Sequence, residues 1–279
     1  MKTLIIGGNS FVGKNFTKTF TESPLISSRD KSTRLYLDLE NVNSSFFEEI
    51  KKEEVEYCFF LAAISSPDDC QEKYENAKLI NYISTKKVIN ELLKMSVKVI
   101  FFSSDQVYSD SPEIFNRHSQ CNPKTKYGIL KNKIEESFFE QHNFKIFRLS
   151  YIYDTKDSFL EYLKESASLN REAKIFKNFE RNIIFIDDVV NCMHKALSNW
   201  EQINKITNIC GPSTVSREKM AEIVQKKTYN NLTFSVIEPD KSFWEARTKI
   251  CRLDPSETAE VLGRSPITFE DFLDNHYEQ

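Results

Sequence analysis

Two side chains four residues apart have types and a spacing that suit proton transfer. Tyr127 and Lys131 fall at the start of a predicted helix, where residues i and i+4 share one face, so a phenol and an ammonium point into the same space. A free tyrosine has a pKa of about 10, whereas a group that gives a proton to a carbonyl or alkoxide oxygen works best near neutral pH. A nearby ammonium favours the phenolate and lowers the pKa of the phenol. The pair predicts a proton donor, although a half-buried tyrosine beside a solvated lysine has the same spacing.

A second group of polar residues follows an apolar run. Phe101 and Phe102 lead directly into Ser103, Ser104 and Asp105, so two hydroxyls and a carboxylate stand at the C-terminal end of a predicted strand. In open α/β sheets, ligands bind at that edge. The segment therefore predicts part of a binding site, with a simple polar turn as the alternative.

The glycines are concentrated near the start of the chain. Three of the six lie at positions 7, 8 and 13, directly after the apolar run Thr3–Ile6 and at the start of a helical pattern. A glycine turn between a strand and a helix brings backbone N–H groups and the helix N-terminus against a pyrophosphate. The spacing indicates a nucleotide-binding turn. An ordinary strand-to-helix turn is the competing interpretation.

A layered fold is needed to position these residues. The first 150 residues alternate short apolar runs with segments of helical period. The pattern predicts strands at 3–6, 25–26, 34–37, 57–63, 97–102 and 144–149 and helices at 11–20, 42–52, 74–95 and 124–141, the last opened by Pro123. This alternation predicts an α/β protein with a Rossmann-type doubly wound parallel sheet.

The second half of the chain is less regular and predicts a smaller mixed α/β lobe. Helices are expected at 158–169, 187–199, 216–227 and 269–276, with strands at 183–186 and 206–209. We expect 1–150, together with roughly 183–210, to form the Rossmann domain. Segments 151–182 and 211–279 are expected to form the substrate-binding lobe.

Composition excludes several classes of protein. The chain has 279 residues, 40% hydrophobic and 28% charged, with 22 Phe and 11 Tyr, which is too apolar for a disordered coil. The longest apolar run, 58–64, is too short to span a bilayer, and the N-terminus does not match a secretory signal. A net charge of −3 with interspersed signs gives no nucleic-acid surface. We expect a cytoplasmic protein with reduced cysteines and no metal site. The sequence does not fix the oligomeric state, and a homodimer is one possibility.

Taken together, the motifs resemble the extended short-chain dehydrogenase/reductases that act on nucleotide sugars. The turn at 7–13 is similar to that family's T-G-x-x-G-x-x-G, with Ser10 in a glycine position. The triplet 61–63 is similar to the family's N-A-A segment, and Asn81 and Thr85 match its N-x-x-G-T helix signature. The resemblance implies a Rossmann domain that binds NAD(P) and a catalytic set of Ser104, Tyr127 and Lys131.

The same resemblance implies which residues contact the cofactor. They lie in the glycine turn, at the ends of the next strands and in the catalytic segment: Gly7, Ser10, Phe11, Val12, Gly13, Arg29, Asp38, Leu39, Leu61, Ala62, Ala63, Ser103, Tyr127 and Lys131.

Two further segments resemble the dTDP-4-dehydrorhamnose reductase branch of this family. Segment 103–108 is similar to its S-T-D-Y-V-F, and 246–254 is similar to its A-R-P-x-x-S-R-L-N at the same spacing. Segment 181–189 resembles the wider family's R-D-Y-I-H-V-x-D, whose arginine binds the diphosphate of a sugar nucleotide. The resemblance implies substrate contacts from Asp105, Gln106, Arg181 and Arg247.

These features predict an NAD(P)H-dependent reductase of a nucleotide-activated 4-keto-(6-deoxy)sugar, with a nucleoside-diphosphate sugar as its partner molecule. A 4-epimerase or dehydratase of the family would share the catalytic set, although Gln106 replaces the glutamate expected of a dehydratase. A non-catalytic NAD(P)-binding regulatory protein is the third interpretation.

The preference between the two nicotinamide cofactors is visible at the end of the second strand. An acid there would bind the ribose 2′-hydroxyl and select NAD, but positions 27 and 28 are serines and Arg29 follows. We therefore expect NADP(H) to be favoured over NAD(H), with a merely solvated Arg29 as the alternative. Asp38 resembles the family's adenine-contacting aspartate.

Overall fold

The computed structural model describes residues 1–20 and 22–277. The strands in this part of the chain are β1 (Thr3–Ile6), β2 (Leu25–Ser28), β3 (Leu35–Tyr36), β4 (Tyr57–Phe60), β5 (Lys98–Ser104), β6 (Ile114–Phe115), β7 (Phe144–Leu149), β8 (Ile152–Tyr153), β9 (Ala173–Phe176), β10 (Glu180–Arg181), β11 (Ile184–Phe185), β12 (Ile206–Ile209), β13 (Val215–Ser216), β14 (Phe234–Ile237) and β15 (Ile250–Leu253).

The helices alternate with these strands. They are α1 (Phe11–Thr19), α2 (Ser44–Lys52), α3 (Pro67–Glu72), α4 (Tyr74–Lys78), α5 (Thr85–Lys94), α6 (Lys126–Phe138), α7 (Ser158–Ser168), α8 (Ile186–Ser198), α9 (Arg217–Lys227), α10 (Lys241–Glu245), α11 (Ser256–Leu262) and α12 (Phe269–His276). A π-helical segment, Leu79–Ser84, and 3₁₀ turns at Asp105–Val107 and Trp200–Gln202 complete them.

Seven parallel strands form the central sheet, in the order β12-β7-β5-β4-β1-β2-β3. The connections from β1 run in one direction to β2 and β3, and those from β4 run in the other. The switch in direction therefore falls between β1 and β4, where a doubly wound sheet opens a crevice at the strands' carboxyl ends. The predicted fold class is confirmed.

Helices cover both faces of the sheet, and the strand sequences show why. Successive side chains of a strand point to opposite faces. Ile5 and Phe59 join the apolar cluster that includes α1 and α8, whereas Ile6 and Phe60 join the cluster that includes α2 and α5. All four are buried, which explains why these strands read as continuous apolar runs.

Two predicted helices differ from those in the structure. The helix expected at 74–95 is interrupted by the π-helical segment, where the Thr85 hydroxyl donates to the Ile80 carbonyl at 2.8 Å. The helix expected to open at Pro123 begins at Lys126 instead. The Thr125 hydroxyl caps it by accepting from the Gly128 N–H at 3.0 Å, so Pro123 lies outside the helix.

The smaller lobe is built from mixed short sheets, as predicted. A four-stranded sheet has the order β13-β10-β15-β6, with one antiparallel pair, and β8–β11 and β9–β14 form two-stranded parallel sheets. Strand β6 pairs with β15, although it falls within the range 1–150 expected for the Rossmann domain. Strand β12, near the end of the range 183–210, pairs with β7 in the central sheet. The division into domains stays a prediction.

Within residues 1–20 and 22–277, no helix combines the length and the apolar character that crossing a bilayer requires. The same residues contain no group of three or more His, Cys, Asp or Glu side chains arranged to hold a metal ion.

Candidate active site

A cavity of about 990 Å³ opens at the carboxyl edge of the central sheet, between the two lobes. The expected catalytic residues Ser104, Tyr127 and Lys131 all line it. Two different elements bring them there, because Ser104 ends β5 while Tyr127 and Lys131 lie on the first turns of α6. The structure thus brings Ser104 into one cavity with Lys131, which lies 27 residues later in the sequence.

Ser104 and Asp105 form the floor of this cavity. The Ser104 hydroxyl donates to Asp105 Oδ1 at 3.0 Å and accepts from the Gln106 N–H at 3.2 Å. Asp105 is buried, and its Oδ2 lies 3.3 Å from Arg181 Nε. Burial raises the pKa of this carboxyl, although the guanidinium of Arg181 opposes the rise.

Tyr127 and Lys131 share one face of α6, with the Lys131 ammonium 5.6 Å from the centroid of the tyrosine ring. Lys131 is buried, and its Nζ donates to the Phe102 carbonyl at 2.7 Å. Burial lowers the pKa of Lys131 to about 8. Burial also raises the pKa of Tyr127, and the charge of Asp105 acts in the same direction. The expected lowering of the phenol pKa by Lys131 is therefore wrong for this structure, because burial penalises the charged phenolate.

Gln106 connects the Ser104 segment to α6. Its side-chain carbonyl accepts from the Thr125 hydroxyl at 2.9 Å, and its backbone carbonyl faces Gly128. A Cβ on Gly128 would lie 2.1 Å from that carbonyl oxygen. Only glycine permits this approach, so Gly128 lets the helix carrying Tyr127 pack against the turn that follows Ser104.

A second cavity, of about 410 Å³, lies beside the glycine turn at the crevice between β1 and β4. Gly7 has φ +88°, and a Cβ there would lie 2.7 Å from the Ala62 nitrogen. The turn therefore needs glycine for both its conformation and its contact with the strand-four segment. Ser10 is the N-cap of α1, and its hydroxyl accepts from the Gly13 N–H at 3.1 Å, which explains a serine at this position.

The remaining residues expected to contact the cofactor divide between the two cavities. Phe11, Val12 and Ser103 line the larger one, and Gly7, Arg29, Asp38, Leu39 and Ala62 line the smaller one. Ser10, Leu61 and Ala63 line both, whereas Gly13 lines neither. The Ser103 hydroxyl donates to Glu135, so its side chain is committed to the protein.

Arg29 is exposed directly after β2, next to a hydrogen-bonded turn. The Asp30 carboxylate accepts from the backbone N–H and the hydroxyl of Ser32 at 2.9 and 2.8 Å. These bonds lower the pKa of Asp30 and hold its charge within its own turn. Among the residues the structure describes, Arg29 forms no ion pair.

Both arginines expected to bind substrate line the larger cavity, but each is paired with a carboxylate. Arg181 contacts Asp105, and its two terminal nitrogens donate to backbone carbonyls and to Thr248. Arg247 donates to Asp68. Arg181 therefore has its donors occupied by the protein.

The sequence analysis missed a group of cavity residues from the C-terminal lobe. They are Tyr151, Phe159, Lys174, Phe179, Arg217 and Phe243. They come from separate elements, so no motif joins them, and Arg217 is inconspicuous as the first residue of a surface helix. The available signal was Tyr151, an aromatic residue two positions after the predicted strand 144–149.

Comparisons with known proteins give the family and the fold of this chain. The model of the family described as RmlD substrate binding domain matches residues 1–278. The spore coat polysaccharide biosynthesis protein SpsK of Bacillus subtilis (strain 168) is 24% identical over 150 residues, which are 53% of this chain and 53% of that protein. That match spans about half of the curated relative.

Two solved structures have the same fold over nearly their whole length. The dTDP-4-dehydrorhamnose reductase of Bacillus anthracis str. Ames, in complex with NADP, gives a TM-score of 0.80 at 20% identity and covers 98% of this chain and 97% of that one. The UDP-glucose 4-epimerase of Thermotoga maritima, with UDP-glucose, gives 0.79 at 21% identity and covers 98% and 96%. A reductase and an epimerase fit almost equally well, so the fold does not choose between their reactions.

Proposed function

This protein belongs to the RmlD substrate binding domain family, and we propose that it is an NAD(P)H-dependent reductase of a nucleoside-diphosphate 4-keto-6-deoxy sugar, of the dTDP-4-dehydrorhamnose reductase type. The product would serve the synthesis of a surface polysaccharide, in keeping with the SpsK relative. The observation that carries the proposal is the convergence of Ser104, Tyr127 and Lys131 on one cavity at the carboxyl edge of the sheet.

The residues around the two cavities fit a dinucleotide. The glycine turn passes so close to Ala62 that a side chain at Gly7 would fill the approach. The smaller cavity would hold the adenosine half between that turn, Asp38 and Arg29, and the larger one would hold the nicotinamide half. With no acid at 27 or 28 and with Asp30 bonded to Ser32, Arg29 supports a preference for NADP(H).

The chain's own groups would handle the carbonyl oxygen of the substrate. When bound, NAD(P)H supplies the hydride for the keto carbon. The Tyr127 phenol gives a proton to the developing alkoxide, and its raised pKa keeps that proton in place at neutral pH. The Ser104 hydroxyl turns from Asp105 to hydrogen-bond the carbonyl oxygen, where negative charge forms. Lys131 holds the cofactor ribose beside Tyr127.

The reaction itself tests the proposal. We expect the purified protein, given NADPH and nucleoside-diphospho-4-keto-6-deoxyhexoses, to consume about one cofactor per sugar, as reduction of one carbonyl requires. An epimerase or dehydratase recycles its bound cofactor and consumes none. Turnover of the sugar without net oxidation of NADPH would refute the reductase.

A deuterium experiment separates a plain reductase from one that also epimerises. Gln106 cannot act as a base, and its side chain is held by Thr125. In D₂O the product should therefore keep hydrogen at C3 and C5. Deuterium at either carbon would reveal an acid–base residue and favour the epimerising alternative.

A further inference from the structure

Arg217 occupies an aromatic enclosure in the wall of the larger cavity. Its guanidinium carbon lies 4.4 Å from the ring centroids of both Tyr151 and Phe159, and 5.6 Å from that of Phe179. The three rings come from the segment after β7, from α7 and from the segment before β10. Rings stacked on a guanidinium restrict its orientation and leave its edge N–H groups for a planar acceptor.

No carboxylate neutralises this arginine. Within residues 1–20 and 22–277, Arg217 forms no ion pair; its guanidinium makes a weak hydrogen bond of 3.7 Å to the Met220 sulfur and interacts with the neutral Tyr151 hydroxyl. The acid connected to it through Tyr151 is Asp157, which accepts the tyrosine hydroxyl and caps α7. Arg217 therefore brings a net positive charge to the cavity wall.

The charges of the cavity as a whole point to an anionic ligand. Its lining includes the cations Lys131, Lys174, Arg181, Arg217 and Arg247, with Asp105 as the acid. Arg181 is balanced by Asp105, and Arg247 by Asp68. The positive charge left over on the C-terminal lobe is that of Arg217 and of the exposed Lys174 on β9.

A short series of contacts joins Arg217 to the catalytic hydroxyl. Phe179 lies against both Arg217 and Arg181, with the Arg181 guanidinium carbon 4.8 Å from the ring centroid. Arg181 contacts Asp105, which accepts from Ser104. The anion site and the hydroxyl that would meet the keto group thus share one cavity without being adjacent. A sugar diphosphate has this shape, with its phosphates separated from the reacting carbon by the sugar ring.

We infer that Arg217 binds the diphosphate of the sugar nucleotide, in the role that the sequence had suggested for Arg181. The inference rests on the proposed function and adds to it the residue that selects a diphosphate. A guanidinium donates two parallel hydrogen bonds to phosphate oxygens, and bonds of this charge-assisted kind are among the stronger ones in proteins. Arg181 instead holds Asp105 in place beside Ser104.

Binding measurements on the full-length protein test this role. Calorimetry first compares dTDP, UDP, GDP and CDP with their nucleosides, and with NADPH, on the wild type. For the diphosphate that binds, Arg217→Gln should weaken affinity about 10-fold to 100-fold, the range for a hydrogen-bonded charge. Arg217→Lys, which keeps the charge without the fork, should fall between. Lys219→Gln, on the same helix but paired with Glu222, is the matched control and should bind as the wild type does.

The controls distinguish binding from folding. Nucleoside and NADPH affinities, and the melting temperature, should change little in Arg217→Gln, because the inferred contact is with the diphosphate. Unchanged diphosphate affinity in this variant would overturn the inference and leave the proposed function intact. Equal weakening for NADPH and the diphosphate would also overturn it, since Arg217 would then have a structural role. A wild type that binds NADPH but none of the four diphosphates would refute the proposed substrate class itself.

Discussion

Arg247, which lines the larger cavity, forms a bidentate ion pair with Asp68, 179 residues away in sequence. The terminal nitrogens of Arg247 donate to the two carboxylate oxygens of Asp68 at 2.7 and 2.6 Å. Asp68 lies on α3 after β4, while Arg247 follows α10 and stacks on Phe243. The arginine's bond lowers the pKa of Asp68, so the pair stays charged at neutral pH. A phosphate that reaches Arg247 must therefore compete with a carboxylate already in place.

Removing that competitor should strengthen substrate binding. We expect Asp68→Asn to tighten the binding of a nucleoside diphosphate by up to about tenfold, because the Arg247 fork becomes free for phosphate. The free energy of unfolding should fall by less than about 1 kcal/mol, since 57% of the Asp68 side chain is exposed. Calorimetry and denaturant unfolding measure the two effects. Asp69→Asn, at the next position on α3, is the control, and weaker binding in Asp68→Asn would show that the pair instead holds Arg247 in its binding position.

Tyr127→Phe should separate catalysis from cofactor binding. Loss of a positioned general acid costs about 10²-fold to 10⁴-fold in turnover, whereas the ring of phenylalanine preserves the packing. We expect kcat to fall within that range, with the NADPH affinity unchanged by fluorescence titration. Tyr57→Phe controls for the loss of a phenol, because Tyr57 is the first residue of β4 and so lies at the edge of the sheet opposite the cavity. A decrease in kcat of less than tenfold would contradict the role assigned to Tyr127.

Because of Lys131, the free energy of unfolding should depend on pH in the alkaline range. Burial lowers its pKa to about 8 in the folded protein, below the value of about 10.4 in an unfolded chain. Between these pH values the unfolded chain holds the proton more tightly, so the free energy of unfolding rises with pH there. The difference in unfolding free energy, Lys131→Met minus wild type, should therefore fall by up to about 3 kcal/mol from pH 7 to pH 10.5.

Urea unfolding at several pH values measures that difference. Lys133→Met, at an exposed position of α6, controls for the loss of a lysine from the same helix. A difference that stays constant or increases with pH would show that Lys131 is not held as a destabilised ammonium.

Arg29→Asp should change the preference for the nicotinamide cofactor. An acid at the end of β2 accepts from the ribose 2′-hydroxyl and repels a 2′-phosphate. We expect the affinity for NADPH to fall about tenfold or more, and the affinity for NADH to hold or rise. Arg34→Gln, which removes a cation already paired with Glu53, is the control. An unchanged ratio of the two affinities would show that Arg29 is a solvated loop charge that does not contact the cofactor.

Gly128→Ala should lower both stability and activity, although Gly128 has no side chain that could take part in the reaction. The added Cβ would meet the Gln106 carbonyl oxygen at 2.1 Å, so α6 must move away from the Ser104 segment. Overpacking of this kind costs about 1–3 kcal/mol of stability. We expect that loss by denaturant unfolding, together with a fall in kcat larger than any change in NADPH affinity. Glu136→Ala, at an exposed position on the same helix, should change neither quantity.

The sequence was most informative where the pattern is local. The run Thr3–Ile6 predicted a strand with the bounds that the structure has, because strands buried in a parallel sheet are largely apolar on both faces. The bounds of Phe144–Leu149 were also predicted, although this strand carries the buried charges of Lys145 and Arg148. The position of the site at the carboxyl edge of the sheet was predicted in the same way, because Ser103 and Ser104 follow an apolar run. Local caps were less visible: Thr125 opens α6 where Pro123 had suggested an earlier start.

Electrostatics and side-chain partners could not be predicted from the sequence. The direction of the Tyr127 pKa shift depends on burial, which is a property of the assembled cavity. Arg181 and Arg217 illustrate the same limit, because one guanidinium is paired with Asp105 and the other is enclosed by rings from three elements. Residue type and spacing do not reveal which arginine has donors to spare.

The position of β12 restricts how this protein can be divided or recombined. The chain leaves the central sheet after β7, builds much of the smaller lobe, and returns to lay Ile206–Ile209 beside Ile146–Leu149. A fragment ending near residue 150 would expose the apolar edge of β7, which is a template for intermolecular strand pairing. A chimera that exchanges the substrate lobe therefore needs at least two junctions, one on each side of β12, and a single fusion point should yield insoluble protein.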